Sequence, residues 1–453
     1  MPRVKKNVVV VGGGIAGLAA SIYLARGGRT VTLFEKRRYL GGRAITHLRH
    51  GFRFNLGPHA VFRKGAGRTV YRELGIPIRG GRVSVRGAAI LGGEQFRLPA
   101  SPLGLLFTSM LTLGGKFEAA SLLWRIRSID ATPFASITIR EWLDKNVIDG
   151  RLRLVMEGLV RLATFSSDLG QSAASALDQI RLLLRGFVYI DEGWQKIVDA
   201  LHSNAVTAGV NFVTSSRVIG VKHDDEVRGI EIGGLESEQR DTTGEYIRPD
   251  PAPQNVKGTP LAADTVLLAV DPTTARELVG DSELSNGWRD LKPVTAACLD
   301  LAMSRLPQPK RTFVLPVDRP LYFGVHSAHA QLTPQGGAMV HVAKYQSDAA
   351  IADEDGYDDE MVRMNDTARA DEQEMEALLD EVQPGWRAFV VHRRFLPSMR
   401  VSNALVTPTA TRPTPATPVR GLYLAGDWVA AEGAMADAAL SSARAAAQAI
   451  LQS

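Results

Sequence analysis

Hydrophobic positions change their rhythm along this chain, and the rhythm divides it into elements. Val8–Val11 is an unbroken β-branched run ended by Gly12-Gly13-Gly14. From Ile15 to Ala25 apolar residues recur at helical spacing until Gly27-Gly28, and Val31–Phe34 is a second β-branched run. Strand, glycine turn, helix and strand within about 30 residues predict a βαβ unit with a right-handed crossover and a parallel sheet. Residues 98–130 and 138–190 carry Leu/Ala/Arg-rich amphipathic patterning and predict mainly helices. Ile197–Ala208 predicts a further helix, followed by short strands at Val210–Thr214, Val218–Lys222 and Val227–Ile232. Residues 233–263 are polar and rich in Gly, Pro and Thr, which predicts a long loop or hairpin insertion before the strand Thr265–Val270. Alternation at 294–303, 312–325 and 338–345 predicts a second sheet. The stretch 348–376 predicts a solvated acidic loop running into a helix, and Thr407–Pro418 an extended connector. A strand at Gly421–Ala425 and an Ala-rich helix from about Ala434 close the chain, which shows no internal repeat.

Composition narrows the class. At 453 residues, 45% of them hydrophobic, there is chain enough for two or three domains with a large core. The lone Cys298 excludes a disulfide framework, a cysteine-based zinc site and a redox dithiol, in keeping with a reducing, cytoplasmic compartment. The net charge of +5 conceals an asymmetry. Residues 1–90 hold 18 Lys/Arg against 2 acids, whereas 347–381 hold 2 against 14. Two differently charged surfaces are expected. Leu98–Gly115 is uncharged, but its two prolines and three glycines exclude a membrane-spanning helix, which needs about 20 predominantly apolar residues. The basic N-terminus before Val8 imitates a secretory signal, yet the glycines that follow favour the βαβ reading.

The first turn carries the chemistry. Gly12-x-Gly14-x-x-Gly17 sits between a strand and a helix, and Glu35 ends the next strand. Glycines let backbone approach a pyrophosphate at a helix N-terminus, and a carboxylate can accept from both ribose hydroxyls while repelling a 2′-phosphate. A dinucleotide other than NADP is expected. The segment Glu35-Lys36-Arg37-Arg38-Tyr39-Leu40-Gly41-Gly42-Arg43 resembles the E-x-R-x-x-x-G-G-R signature of the flavin amine oxidase superfamily, which includes amine oxidases, protoporphyrinogen oxidases and phytoene desaturases. The resemblance extends along the chain. Gly57-Pro58-His59 looks like the family's glycine segment beside the isoalloxazine, Val218 like its adenine contact, and Asp191-Glu192-Gly193-Trp194 like its second glycine turn. Gly426-Asp427 and Gly433-Ala434-Met435 resemble the strand end and final helix start.

The resemblance implies FAD as cofactor, bound by Gly12, Gly14, Ile15, Ala16, Gly17, Glu35, Lys36, Arg37, Gly42, Arg43, Gly57, Pro58, His59, Val218, Gly426, Asp427, Gly433, Ala434, Met435 and Ala438. It also implies an α/β fold. A doubly wound Rossmann-type FAD domain (1–80, 190–275, 415–453) would be interleaved with a discontinuous α+β substrate domain, helical at 81–189 and sheet at 276–414.

No second strand–GxGxxG–helix follows, so the expected hydride donor is the organic substrate, with electrons leaving to oxygen, a quinone or another acceptor. The lysine of amine oxidases is replaced by Ala297, with Lys292 nearby, and paired aromatics are not evident. Both features weaken an amine oxidase reading, and Leu98-Pro99-Ala100-Ser101-Pro102 followed by an apolar helix looks more like the desaturase and protoporphyrinogen oxidase branches, whose helical insertion guides an apolar substrate and touches membranes. The reaction read from the sequence is dehydrogenation or desaturation of a hydrophobic small molecule. An amine or secondary-metabolite oxidase, a flavin-dependent isomerase and a non-catalytic prenyl-binding protein on the same fold are the alternatives. His59 and His326 are the candidate catalytic residues, and His326, His341, Lys344, Met399 and Trp428 the candidate substrate contacts. Neither a metal nor nucleic acid is expected, peripheral membrane contact is, and the sequence sets no oligomeric state.

Overall fold

The computed structural model describes residues 6–83, 85–233, 258–280, 283–346 and 366–453. The expected acidic loop at 348–365 and most of the insertion after residue 233 lie outside the described residues. The first sheet is five-stranded and wholly parallel, ordered Asn211–Val213, Thr30–Phe34, Asn7–Val11, Thr265–Leu268, Leu422–Leu424. Its strands read as continuous apolar runs because both faces are covered. Helices Ile15–Arg26, Gln195–Thr207 and Met435–Gln452 pack on one face through residues such as Leu18, Ile22, Ile197, Leu201 and Leu440. The other face meets the helix Pro272–Val279 and the antiparallel sheet of Val218–His223, Val227–Ile232 and Thr259–Ala262.

The second large sheet has seven strands, ordered Val390–Ser402, Val294–Met303, Ala338–Tyr345, Leu321–Val325, Phe313–Pro316, Ala88–Leu91, Glu94–Arg97. Its neighbours run antiparallel except Phe313–Pro316 beside Ala88–Leu91. The central strand Val294–Met303 is buried throughout. Ala296, Cys298 and Ala302 face one layer, packed by the helices between residues 113 and 184. Ala297, Leu299, Leu301 and Met303 face the other, covered by Met375, Leu378 and Leu379 of the helix Asp366–Val382.

Three sequence expectations shift. The 98–130 stretch resolves into helices Pro102–Phe107 and Leu113–Ser128, because Pro102 starts the first and the extended Thr108 ends it. The 138–190 stretch holds three helices but ends in the strand Phe187–Ile190, whose aromatic and β-branched residues pair with Val61–Phe62 and Gly80–Val83. The 312–325 run is two paired strands, not one.

Candidate active site

The turns beyond the carboxyl ends of the parallel strands open into one cavity of about 500 Å³. Residues just past four strands line it: Gly12 after Val11, Glu35 after Phe34, Ala269-Val270 after Leu268, and Gly426-Asp427 after Leu424. This is where an open parallel sheet presents its ligand crevice. Gly12 has φ +107, and a Cβ there would lie 2.5 Å from the Ala269 carbonyl oxygen. A Cβ on Gly17 would fall 1.9 Å from the Gly12 carbonyl oxygen, so Gly12 is demanded by the close neighbouring strand end and Gly17 by close packing of helix on strand. The helix beginning at Ile15 has no side-chain cap, and Gly14, Ile15 and Ala16 present its first turn to the cavity.

Glu35 accepts hydrogen bonds from the backbone N–H of Gly13 (2.7 Å) and of Arg37 (2.9 Å), which pin the carboxylate at the cavity edge. Lys36, Arg37, Gly42, Arg43 and Val218 also line the wall. The Arg43 guanidinium donates to the Val401 carbonyl (3.1 Å) and pairs with buried Asp427 (3.0 Å), whose carboxylate also accepts from the backbone and side-chain N–H groups of Asn403. The final helix, Met435–Gln452, likewise lacks a side-chain cap, and Ala434, Met435 and Ala436 turn its N-terminus to the cavity. Its positive dipole end suits an electron-rich ligand edge. Gly17, Gly57, Gly433 and Ala438 pack behind these wall residues.

Beyond Pro58, His59 and Ala60 the lining becomes aromatic and apolar: Leu162, Phe165, Leu183, Phe187, Tyr189, Phe313, Tyr322, with His326 and Met399. His59 is held by the Gly57 carbonyl (3.1 Å) with its ring edge-on to Trp194, and burial pushes its pKa down to about 4. His326 is stacked on Tyr189 with ring centroids 3.7 Å apart and bonds the Tyr322 hydroxyl through Nε2 (3.0 Å). Burial holds its pKa well below the usual histidine value, so both histidines are neutral near pH 7.

Of the candidate substrate contacts, Met399 and His326 reach the cavity and three others do not. Lys344 projects from the opposite face of its strand and pairs with Asp371 (2.9 Å) and Glu374 of the covering helix. Trp428 is fully buried beneath the parallel sheet, its indole N–H donating to the Val270 carbonyl and its ring set against Trp288. His341 shares a face with His326 but sits one layer deeper, Nδ1 bonded to Asp300 (2.6 Å). Burial opposes an ionised Asp300, yet Arg394 and His341 hold its carboxyl below the usual range. Cys298, Asp300 and His341 cluster closely enough to hold a metal ion. Arg394 already supplies the positive charge beside Asp300, and burial keeps the Cys298 thiol protonated, so the donors fit an ion pair better than a cation. Neither Ala297, which faces away from the cavity side, nor Lys292, paired with Asp168, reaches the site.

Among the wall residues that sequence reasoning missed, three carry polar groups at key points. Tyr189 and Tyr322 lie on short strands, and the Phe-Val-Tyr-Ile run after Gly186 was the available strand signal for the first. Asp437 is hidden in the Ala-rich helix. Its carboxylate accepts from the Gly67 backbone N–H (2.9 Å), and burial pushes its pKa up to about 6. Asp437, Tyr71 and Trp194 belong to the cavity wall, and Asp437 Oδ2, the Tyr71 hydroxyl and the Trp194 indole N–H are buried in it without partners among the described residues. Orphaned polar atoms along a glycine-lined crevice fit a large polar ligand that the protein must hold.

The family model for flavin-containing amine oxidoreductases matches residues 15–451. The chain belongs to that family. This oxidoreductase is FAD-dependent, and the crevice between Gly12 and Asp427 has the donors, carboxylates and bare backbone that such a dinucleotide requires. Among solved structures, an oxidoreductase from Methanosarcina mazei superposes with a TM-score of 0.73 at 17% identity, covering 98% of this chain and 100% of that one. A cyclohexylamine oxidase from Brevibacterium oxydans superposes at 0.67 with 13% identity, covering 99% of each chain. At these identities the likeness is one of fold. Among curated relatives, a carotenoid 3,4-desaturase from Haloarcula japonica is 55% identical over 53 residues. That match spans 12% of this chain and 11% of the relative's length.

Proposed function

We propose that this flavoenzyme takes hydride from a neutral, hydrophobic small molecule, a dehydrogenation or desaturation, and not from an amine. The observation that supports this is the make-up of the cavity's far end. The lining there, from Leu162 to Tyr189 and from Phe313 to His326, contributes aromatic and aliphatic side chains and no carboxylate. Its histidine is neutral. An ammonium group placed among them would be desolvated without a counter-charge, which is costly. A polyene or other apolar skeleton would gain roughly 25 cal/mol for each Å² it buries. The short carotenoid 3,4-desaturase match is consistent with such a substrate.

In this reading Gly12, Gly14, Ile15, Ala16, Arg43 and the first helix hold the pyrophosphate, Glu35 the adenosine ribose, Val218 the adenine, and Asp427 with the Ala434–Ala436 turn the flavin side. The flavin supplies the hydride acceptor when bound. The protein's part is to orient the reacting C–H bond and exclude water, and neutral His59 and His326 are placed to accept a proton where the substrate carries one. The division into an FAD unit (1–80, 190–275, 415–453) and a substrate unit (81–189, 276–414) is part of the proposal.

The test is anaerobic mixing of FAD-loaded enzyme with apolar polyenes and with primary amines. Bleaching of the flavin's visible absorbance by a polyene, with a product two hydrogens lighter, is the expected result. Bleaching by amines alone would overturn the reading, and a product of unchanged mass would indicate isomerisation.

A further inference from the structure

The aromatic end of the cavity contains one polar island, and its protons can be counted. Tyr189, Tyr322 and His326 are all buried. The Tyr189 and Tyr322 hydroxyls are 3.3 Å apart, and the Tyr322 hydroxyl is 3.0 Å from His326 Nε2. Two hydroxyls and one neutral imidazole carry three donor hydrogens, and the group makes two internal hydrogen bonds. Whichever way the protons are arranged, one donor is left over. If Tyr189 donates to Tyr322 and Tyr322 to Nε2, the surplus is His326 Nδ1–H. If His326 donates from Nε2, the surplus is a tyrosine O–H.

The surrounding protein does not absorb it. Among the described residues His326 Nδ1 has no partner, and although the His341 ring lies 4.2 Å away, His341 Nε2 is unpartnered as well. His341 Nδ1 is committed to Asp300. Of the other neighbours, Phe187 and Phe313 offer rings only, and the nearby Tyr345 hydroxyl makes no hydrogen bond to the group. A buried donor left unmade is expensive, whereas the same wall built from phenylalanine would have carried no such cost.

We propose that Tyr189, Tyr322 and His326 form a specificity site for a single neutral oxygen acceptor, so that an apolar skeleton bearing one hydroxyl or carbonyl group is preferred to the corresponding pure hydrocarbon. This rests on the reading of the cavity as the site of an apolar substrate. The ligand oxygen accepts the surplus hydrogen, and the aromatic walls bury the rest of the molecule. A site built to hydrogen-bond a substrate group rejects the analogue that lacks it, because the analogue leaves the buried polar atoms unpaired.

The experiment measures equilibrium binding of farnesol, farnesal and farnesene, which share a carbon skeleton, to the FAD-loaded enzyme. Farnesol and farnesal are expected to bind about tenfold more tightly than farnesene or better, since both offer an acceptor and the aldehyde offers no donor. The Tyr189→Phe variant still has one donor too many, two hydrogens for one internal bond, and keeps the preference. Replacing all three residues by Phe keeps an aromatic ring at each position without a polar atom and is expected to reduce the preference to about unity. Equal affinity for farnesene in the wild type, a preference that survives in the triple variant, or failure of all three probes to bind a flavin-loaded protein overturns the proposal. A protein that retains no FAD on purification or reconstitution overturns the underlying reading instead, and the visible flavin band separates the two failures. The wild-type comparison needs no variant to fold.

Discussion

Two buried titratable groups in the site pull stability in opposite directions with pH. Asp437 has its pKa raised from 3.8 to about 6 by burial, so its folded form prefers the proton. Its contribution is complete below the unfolded value and is lost as pH rises through about 6, a difference of about 3 kcal/mol. Asp437→Asn, which keeps an acceptor for the Gly67 N–H, should melt higher than wild type near pH 8 and lose that advantage near pH 4. Calorimetry at the two pH values checks this, and an equal shift at both would refute it. His59, depressed from 6.5 to about 4, acts oppositely: its contribution is present above 6.5 and is lost as pH falls through about 4. At Gly17 the constraint is steric. A Cβ would sit 1.9 Å from the Gly12 carbonyl oxygen, so Gly17→Ala must push the first helix off its strand. Loss of FAD retention and about 2 kcal/mol of stability in urea melts are expected. Lys344 illustrates how little a residue's type says about its direction. It lies three positions from His341 on one strand, and that odd spacing sends the two side chains to opposite faces.

Among the elements, the pair of helices Pro102–Phe107 and Leu113–Ser128 stands apart from the rest. Leu103, Leu106, Phe107, Leu113, Phe117 and Trp124 are each more than half exposed. Lys116, Arg125 and Arg127 share these segments, and Arg97 stands over the Phe107 ring. No helix among the described residues is long and apolar enough to cross a membrane. We propose that this apolar, basic-rimmed face rests on an anionic lipid surface, a route by which an apolar substrate reaches the cavity. Converting Phe107, Phe117 and Trp124 to Ser should reduce co-sedimentation with anionic vesicles at least tenfold while leaving the melting temperature within a few degrees, because those side chains support no core. A wild type that does not sediment with the vesicles would end the idea. The strand Val390–Ser402 escaped the sequence pattern because Arg393, Arg394 and Arg400 interrupt it. Arg394 is buried and faces Asp300, a pairing that only the neighbouring strand Val294–Met303 makes tolerable.

For the whole molecule, FAD should act as part of the fold. Its crevice draws on residues from the first strand to the last helix, so stripping the flavin removes a ligand that binds only the folded chain. At a thousandfold excess over Kd such a ligand contributes about 4 kcal/mol, so the apoprotein should melt several degrees lower and recover with FAD. FMN, lacking the adenosine end that reaches Glu35 and Val218, should restore little of it, and full recovery with FMN would contradict the placement of those residues. The sequence by itself determined the βαβ start, the glycines, Glu35, the Gly426-Asp427 strand end and the small-residue opening of the last helix. These are local signals, in which a turn needs glycine or a strand needs a β-branched run whatever lies around it. Tertiary structure decided the rest: that Trp428 packs beneath the sheet, that His341 stands behind the wall with Asp300, and that Tyr189 shares one proton network with Tyr322 and His326, 133 residues and more further along the chain. Register and burial made those choices, since the side to which a strand residue points depends on its partners and not on its own chemistry.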